Sequence, residues 1–227
     1  MITVTEPEFD IIRSRRRTRI SFTIDPESGR LQVLVPWGVR GDRIEELVAR
    51  NSAVVEYLRR RWSELERRRP RFEFREGGSF LYLGNFHRLH LSRRTTGFDG
   101  REFLIPHGSE EEVRERLERL YRRLAAEHLT GRVAEFAGKF QLSPGKIRIG
   151  GALRRWGSCS RRGDLNFSWR LIQCPERLID YVVIHELAHL IELNHSSRFW
   201  EQVGRMCPRY RECRRELTDD AILYGGF

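Results

Sequence analysis

The pattern H-E-L-A-H at residues 185–189 constrains this chain more than any other feature of its sequence. It lies within residues 179–193, an apolar run with the length and composition of a buried helix. Residues four apart share one face of a helix, so the two imidazoles can reach a single ion. Two histidines and a glutamate are costly in an apolar setting unless a partner satisfies them. The pattern therefore predicts a metal-binding helix rather than a chance arrangement on a solvated surface.

The glutamate of this pattern has a separate expected role. Glu186 lies about 100° around the helix from His185, so it can hold a water molecule at the ion rather than bind the ion itself. Zinc lowers the pKa of such a water toward about 7, and the carboxylate takes its proton as the water attacks a carbonyl. We therefore predict one zinc ion per chain, with His185 and His189 as metal ligands and Glu186 as the catalytic base.

A catalytic zinc ion needs a third protein ligand and keeps one position open. The predicted third ligand is His195, six residues after His189. A continued helix would carry His195 about 9 Å further along its axis, out of reach of the ion. The helix is therefore expected to end near Leu193, and Asn194 can supply a left-handed residue at its C-terminus.

Glu192 is the rival third ligand, because it lies one turn after His189 on the same helix face. Its reach to an ion between the two preceding turns is poor, and it could instead orient a ligand histidine from outside the coordination sphere. A downstream acid would give a site of two histidines and one glutamate, and the candidates are Glu201, Glu212 and Glu216.

Local patterns predict an α+β protein with two regions. Residues 1–108 are expected to be β-rich with one inserted helix over 42–68, their later strands forming one small antiparallel sheet. Residues 109–227 are expected to open with a helix that begins at a capping box and runs to about residue 128. A second helical piece follows over 132–140.

The second region also contains a predicted hairpin before the metal-binding helix. Strands are expected over 147–156 and 165–171, joined by turn residues 161–164. Two short helices are expected after the metal-binding helix, over 197–206 and 209–217. The sheet of this region is therefore expected to be antiparallel.

The charge balance bears on partners. The chain has 42 Lys+Arg against 32 Asp+Glu, a formal net charge of +10, and only Lys139 and Lys146 are lysines. A positive field attracts nucleic acid or acidic partners, while a general arginine bias on solvated helix faces explains the same composition. We therefore expect no more than weak, non-specific binding to nucleic acid.

Other features predict the compartment. No stretch approaches the roughly 18 apolar residues of a membrane helix. Residues 1–10 lack the basic start and apolar run of a signal peptide. The four cysteines form no C-x-x-C pair, which argues against a thiolate zinc knuckle. We predict a cytoplasmic protein with no membrane partner and with reduced cysteines.

Three groups of motifs resemble the YgjP-like metallopeptidase family, which is related at its site to SprT-like proteases. They are R-W-G-S-C-S at 155–160, L-N-F-S-W-R-L at 165–171, and H-E-L-A-H followed by N-H-S-x-x-F-W at 194–200. The resemblance implies a zincin-like fold for residues 109–227. It also implies a metal held by His185, His189 and His195, with Glu186 as the base.

The resemblance also implies where substrate binds. Zincin-type proteases take substrate as an extra strand at a sheet edge above the metal helix, and the strands over 147–156 or 165–171 would supply that edge. Arg155, Trp156 and Ser158 are therefore the predicted substrate-binding residues. The main alternative for Trp156 is ordinary core packing.

Two further assignments stay open. Arg154, Arg155 and Tyr210 are candidates to stabilise the oxyanion of the reaction. Cys159 is expected to be a small buried hydrophobe, and the alternative is a self-inhibiting zinc ligand.

The predicted function is hydrolysis of peptide bonds in protein or peptide substrates by a zinc metallopeptidase. One alternative is a zinc amidohydrolase with a small substrate. The other is a nucleic-acid-associated protein with protease activity, as in SprT-like proteins. A structural zinc is disfavoured, because such sites take four protein ligands, mostly cysteine.

Overall fold

The computed structural model describes residues 9–25, 28–153 and 155–224. It separates into two compact units, Met1–Arg69 and Pro70–Phe227. This division differs from the predicted boundary at residue 108, because strands before that point share a hydrophobic core with the helix after it. The rings of Phe103 and Tyr121, for example, pack with their centroids 5.1 Å apart.

The first unit is a three-stranded sheet with two helices. Its elements are β1 (Phe9–Ser14), β2 (Ser21–Ile24), β3 (Leu31–Pro36), α1 (Gly41–Arg50) and α2 (Ser52–Arg68). The strand order is β1-β3-β2, with β1 parallel and β2 antiparallel to β3. Because side chains alternate along a strand, β3 buries Leu31, Val33 and Val35 on one face, where they pack with Ile44 and Val55.

The single helix predicted over 42–68 is interrupted at Asn51. The side-chain amide of Asn51 donates a hydrogen bond to the carbonyl of Leu47 at 2.8 Å, and α2 begins at the next residue. Asparagine side chains compete for backbone hydrogen bonds in this way. Apolar periodicity does not register such a break, since both helices keep buried residues at helical spacing.

The second unit begins with a four-stranded sheet. Its strands are β4 (Ser79–Tyr82), β5 (Asn85–Ser92), β6 (Gly97–Phe98) and β7 (Glu102–Pro106), in the order β4-β5-β7-β6. The β5–β7 pair is parallel and the other pairs are antiparallel. The prediction of an antiparallel sheet is therefore wrong here, because the 97–98 strand inserts a reversal between the two longer strands.

The long helix α3 (Glu110–Phe140) crosses the second unit. It begins at the predicted capping box, in which Ser109 Oγ accepts from the Glu112 amide and the Glu112 carboxylate accepts from the Ser109 amide. The break expected after residue 128 does not occur. Buried Leu129 and Val133 continue the apolar stripe, and their packing outweighs the roughly 1 kcal/mol cost of a mid-helix glycine.

The second sheet of this unit is also mixed. It contains β8 (Ile147–Gly150), β9 (Gly157–Cys159) and β10 (Leu165–Ser168), in the order β8-β10-β9. A hairpin forms between β9 and β10, but its first strand lies at 157–159 rather than over the predicted 147–156, and β8 runs parallel to β10. The antiparallel sheet expected in this region is therefore corrected.

Ala152, Leu153, Arg155 and Trp156 do not form the expected strand, and two of them instead bond to the last residue of β10. Ser168 donates its hydroxyl to the carbonyl of Ala152 and its amide to the carbonyl of Trp156, each at 2.9 Å. After Ser168 the chain turns into a short 3₁₀ helix, Trp169–Gln173, where continued strand was expected.

Three α-helices complete the second unit. They are α4 (Glu176–Ala188), α5 (Ser197–Met206) and α6 (Tyr210–Asp219). Helix α4 is largely buried and is tied to α3 by Arg132, whose Nε and Nη2 each donate to the Asp180 carboxylate at 2.7 Å. Among the helices of the described ranges, none combines the length and apolar character needed to cross a bilayer.

Candidate metal centre

Three imidazoles converge at the C-terminal end of α4. His185 lies in its last turn, His189 is the first residue beyond it, and His195 lies on the loop before α5. One nitrogen of each ring lies within 4.8 Å of the others, and the two Nε2 atoms of His185 and His195 are 3.1 Å apart. Of the residues that the structure describes, no other group of three has such an arrangement of possible metal ligands.

The loop that carries His195 forms differently from the prediction. Helix α4 ends at Ala188 rather than near Leu193, and Asn194 has no left-handed backbone. Instead, Asn194 Oδ1 accepts a hydrogen bond from the Ser196 amide at 2.9 Å. Ser196 in turn caps α5, its hydroxyl accepting from the amide of the third helical residue at 3.4 Å. The early end of α4 and this pair of side-chain bonds turn the chain back toward the other histidines.

The donor set fits a divalent metal such as zinc. Nδ1 of His189 lies 3.1 Å from the carbonyl oxygen of Glu192, which fixes its proton there and leaves Nε2 free to bind. The 3.1 Å between the other two Nε2 atoms is close to the roughly 3.3 Å between nitrogens in a tetrahedral zinc site. Burial lowers the pKa of His185 to about 3 and also lowers that of His195, so both are in the neutral form that binds metals.

An aromatic side chain supports all three rings. Phe199 is fully buried and its ring centroid lies 4.5 Å from that of His189, 4.9 Å from that of His185 and 4.8 Å from that of His195. The phenylalanine of the N-H-S-x-x-F-W motif therefore packs against all three histidine rings of the donor set. Trp200 packs against the rings from α5 as well.

Glu186 is buried beside this cluster, with 5% of its surface exposed. Burial raises the pKa of its carboxyl group to about 7, and the positive charge of Arg155 acts in the opposite direction. The carboxylate lies against Gly157 of β9, where a Cβ atom would come within 2.7 Å of Oε1. Only a residue without a side chain leaves the carboxylate its present position.

The rival ligands lie outside the cluster. Glu192 contributes its backbone carbonyl to His189, while its carboxylate is not part of the donor group. Glu212 pairs with Arg209 at 2.7 Å and Glu216 with Arg177 at 2.6 Å. Among the downstream acids the third, Glu201, is likewise outside the group.

A cavity of about 210 Å³ opens beside His185 and Glu186. The remaining lining residues come from the approach to β9, from α4 and from α6, and they are Trp156, Gly157, Tyr181, Val182, Arg214, Leu217 and Thr218. Of the predicted substrate-binding residues, Trp156 lines this cavity, whereas Arg155 and Ser158 do not. Arg155 is exposed, and Ser158 is half-buried within β9.

The other candidates are distributed as follows. Arg154 lies outside the described residues. Tyr210 stacks on Trp200 at 5.5 Å and its hydroxyl accepts from Arg211 Nε at 3.2 Å, away from the cavity wall. Cys159 is half-buried, and burial raises the pKa of its thiol to about 11, which disfavours the thiolate needed for metal binding. It is not among the clustered donors.

Several residues that line the cavity were not among the predicted site residues. Tyr181 precedes His185 by four residues, so helical spacing could have identified it. Gly157 was part of a noted motif, but its contact with Glu186 is tertiary. Arg214 and the rest of the α6 face carry no sequence signal, since only the packing of α6 on α4 brings them to the site.

Comparisons with known proteins bear on this site. A family model described as YgjP-like, metallopeptidase domain, matches residues 18–220. No curated protein matches the sequence.

Two similar solved structures are crystal structures of metallopeptidase zymogens. Abylysin of Pyrococcus abyssi is 26% identical, the match covering 40% of this chain and 92% of that one with a TM-score of 0.36. Jannalysin of Methanocaldococcus jannaschii is 18% identical, with 41% and 96% covered and a TM-score of 0.37. Similarity at this TM-score does not establish a shared fold.

Proposed function

This chain belongs to the YgjP-like metallopeptidase family, and from that premise we propose that it is a zinc-dependent peptidase with Glu186 as its general base. Family membership makes it a metal-dependent hydrolase of peptide bonds. The proposed ligands of one zinc ion per chain are His185, His189 and His195. The observation that carries the proposal is the convergence of three imidazole nitrogens within 4.8 Å beside a buried carboxylate.

The chain's own residues would divide the reaction between them. A bound zinc ion supplies Lewis acidity, which polarises a carbonyl and acidifies water. Glu186 takes the proton of the attacking water and delivers it to the leaving amine, so that it serves first as base and then as acid. Its contact with Gly157 holds the carboxylate at one position, which keeps the proton acceptor aligned.

Substrate is proposed to bind along β9. The predicted edge at 165–171 is excluded, because β10 is the central strand and has partners on both sides. Both β8 and β9 are edge strands, but β9 packs against α4 and its first residue touches Glu186. An extended peptide could hydrogen-bond to β9 and enter the cavity beside Trp156. Ser158 lies within that strand and Arg155 lies two residues before it, so both would adjoin the bound peptide.

The experiment is a cleavage profile with an unbiased peptide library, measured with zinc and after chelation. Glu186→Gln is the decisive variant, because glutamine keeps the size of the side chain but cannot accept a proton. Its kcat should fall by about 10²–10⁴-fold or more, since general base catalysis contributes that much. Zinc content and the melting temperature should stay near those of the wild type.

Two outcomes would contradict the assignment. Near-normal turnover by Glu186→Gln would remove this residue as the base and favour a structural metal. Loss of zinc together with activity would make Glu186 a ligand. Cleavage of small amides but not of any peptide would favour the amidohydrolase alternative. The position of the cavity beside an edge strand argues against that alternative. A cytoplasmic location and protein or peptide substrates are part of the same proposal.

A further inference from the structure

One wall of the cavity beside His185 and Glu186 carries a cation that the proposed chemistry does not use. Arg214 lies on α6 with Leu217 and Thr218, three and four residues later, so all three share one helix face. That face lines the cavity. Arg214 is the only basic side chain, apart from the candidate ligand His185, among the residues that line it.

The guanidinium of Arg214 is held by an aromatic stack. Its Cζ lies 4.5 Å from the centroid of the Trp200 ring, and that ring stacks on Tyr210 at 5.5 Å. A guanidinium that lies flat on an indole keeps its N–H groups pointing outward in the ring plane. The stack thus orients the cation while leaving its donors available.

No carboxylate of the described ranges forms an ion pair with Arg214, although α6 carries three acids, Glu212, Glu216 and Asp219. Glu212 pairs with Arg209 and Glu216 pairs with Arg177. These two acids are therefore occupied by other arginines, and none of the ion pairs within the described ranges uses the five donors of Arg214. A cation without an ion-pair partner, in the wall of a cavity whose one acid is Glu186 and whose other lining residues are mainly aromatic and aliphatic, is suited to a carboxylate ligand.

The size of the cavity limits what that ligand is. Its volume of about 210 Å³ is below the roughly 300–1,000 Å³ of typical small-molecule sites, so it accepts about one side chain. Because His185 and Glu186 line the same small cavity, a group held by Arg214 would lie next to the reacting bond.

We propose that Arg214 makes this enzyme selective for peptides with a carboxylate beside the scissile bond. The inference rests on the proposed function, since it assumes that the three histidines hold a metal. The carboxylate is either an aspartate or glutamate side chain or the C-terminus of a short substrate. In both cases Arg214 is a specificity-determining residue rather than part of the metal site.

The test measures affinity rather than turnover. Each probe carries a hydroxamate group that chelates zinc, followed by one variable residue. The four probes end in Asp-amide, Asn-amide, Lys-amide, or Leu with a free carboxylate. Isothermal titration on the zinc-loaded full chain gives a Kd for each. The Asp-amide probe should bind about tenfold more tightly than the Asn-amide probe, the low end for a charged hydrogen bond, because Arg214 is exposed.

Charge reversal separates a local effect from the general basicity of the chain. Arg214→Glu should abolish the preference for Asp and give a preference for Lys over Asn. Arg215→Glu is the matched control, because Arg215 lies next to it on α6 and makes the same charge change but does not line the cavity. It should keep the wild-type ratio. Arg214→Gln provides a milder variant, and thermal melting checks that each one folds.

The binding data distinguish the proposed carboxylate site from a general effect of charge. Equal changes in both reversal variants, or a loss of affinity that is the same for every probe, would overturn the inference. Tighter binding of the free-carboxylate probe than of Asp-amide, lost in Arg214→Glu, would support it with the C-terminus as the ligand. Zinc binding without any carboxylate preference would overturn this inference alone. A chain that binds no zinc would overturn the proposed function together with it, whereas an intact Asp preference without peptide cleavage would contradict the proposed function only.

Discussion

Replacing Gly157 by alanine would test whether the close approach of β9 positions the proposed base. A Cβ at this residue would lie 2.7 Å from Oε1 of Glu186, 2.8 Å from its Cγ and 3.0 Å from its Cδ, where ordinary contacts begin at 3.4 Å. The difference of 3.4 − 2.7 gives about 0.7 Å of required displacement. Gly157 has no left-handed backbone, so alanine adds no conformational strain there.

The size of the effect follows from that displacement. A shift of about 1 Å in a reacting group can cost 10²-fold, so 0.7 Å should lower kcat by roughly 10- to 100-fold. That range corresponds to about 1.4–2.7 kcal/mol in activation free energy. The free energy of unfolding should change by less, because removing a glycine also reduces the freedom of the unfolded chain. Zinc content should be unchanged, since the three atoms nearest to the new Cβ all belong to Glu186 and none to a histidine.

The assay is kcat and KM on a cleaved peptide, with zinc content and thermal melting measured on the same samples. Gly97→Ala is the matched control, because Gly97 also lies in a strand and a Cβ there meets nothing within 4 Å. A Gly157→Ala enzyme with kcat within twofold of the wild type would refute the argument. It would mean that the carboxylate moves freely, and that its position does not depend on β9.

His195→Ala should lower zinc content as much as His189→Ala, measured by metal analysis after dialysis, because all three imidazoles contribute one donor. Glu192→Ala should keep the zinc, since alanine retains the carbonyl that bonds to His189, and the opposite pattern would reverse the ligand assignment. Arg132→Ala should lower the free energy of unfolding in a denaturant titration by about 1–2 kcal/mol, because it leaves the Asp180 carboxylate without its bidentate partner. A change near zero would show that the pair does not stabilise α4. The net charge of +10 predicts nucleic-acid binding that weakens steeply with salt, and anisotropy showing no binding at low salt would contradict it.

Structural features that depend only on residues close together in the sequence could be predicted well. The capping box at Ser109 is such a case, since it depends on two residues three apart. The helix that carries Glu186 could also be predicted, because a long apolar run that ends in polar residues is typical of a buried helix. The β9–β10 hairpin was predicted in part, since its second strand follows from an alternating pattern, whereas its first strand lies at 157–159 rather than over 147–156.

Features that depend on distant partners could not be predicted. The parallel pairing of β8 with β10 is one example. The alternation of apolar and polar residues in a strand is the same for parallel and antiparallel pairing, so it does not predict the direction. Helix α4 ends at Ala188 and the chain continues in hydrogen-bonded turns to residue 192, although apolar residues continue beyond the helix end. Arg214 reaches the cavity only because α6 packs on α4.

The boundary of α4 at Ala188 has a consequence for how tightly the proposed ion is held. His185 is fixed by a buried helix, but the eight residues 189–196 that link α4 to α5 bury little of their own, with Ile191 and Leu193 exposed. Each residue of that loop that became fixed only on binding the ion would cost about 1–2 kcal/mol of conformational entropy. Substitutions in this loop that do not contact the metal would therefore change the affinity for the ion, by making the loop stiffer or more flexible in the metal-free chain.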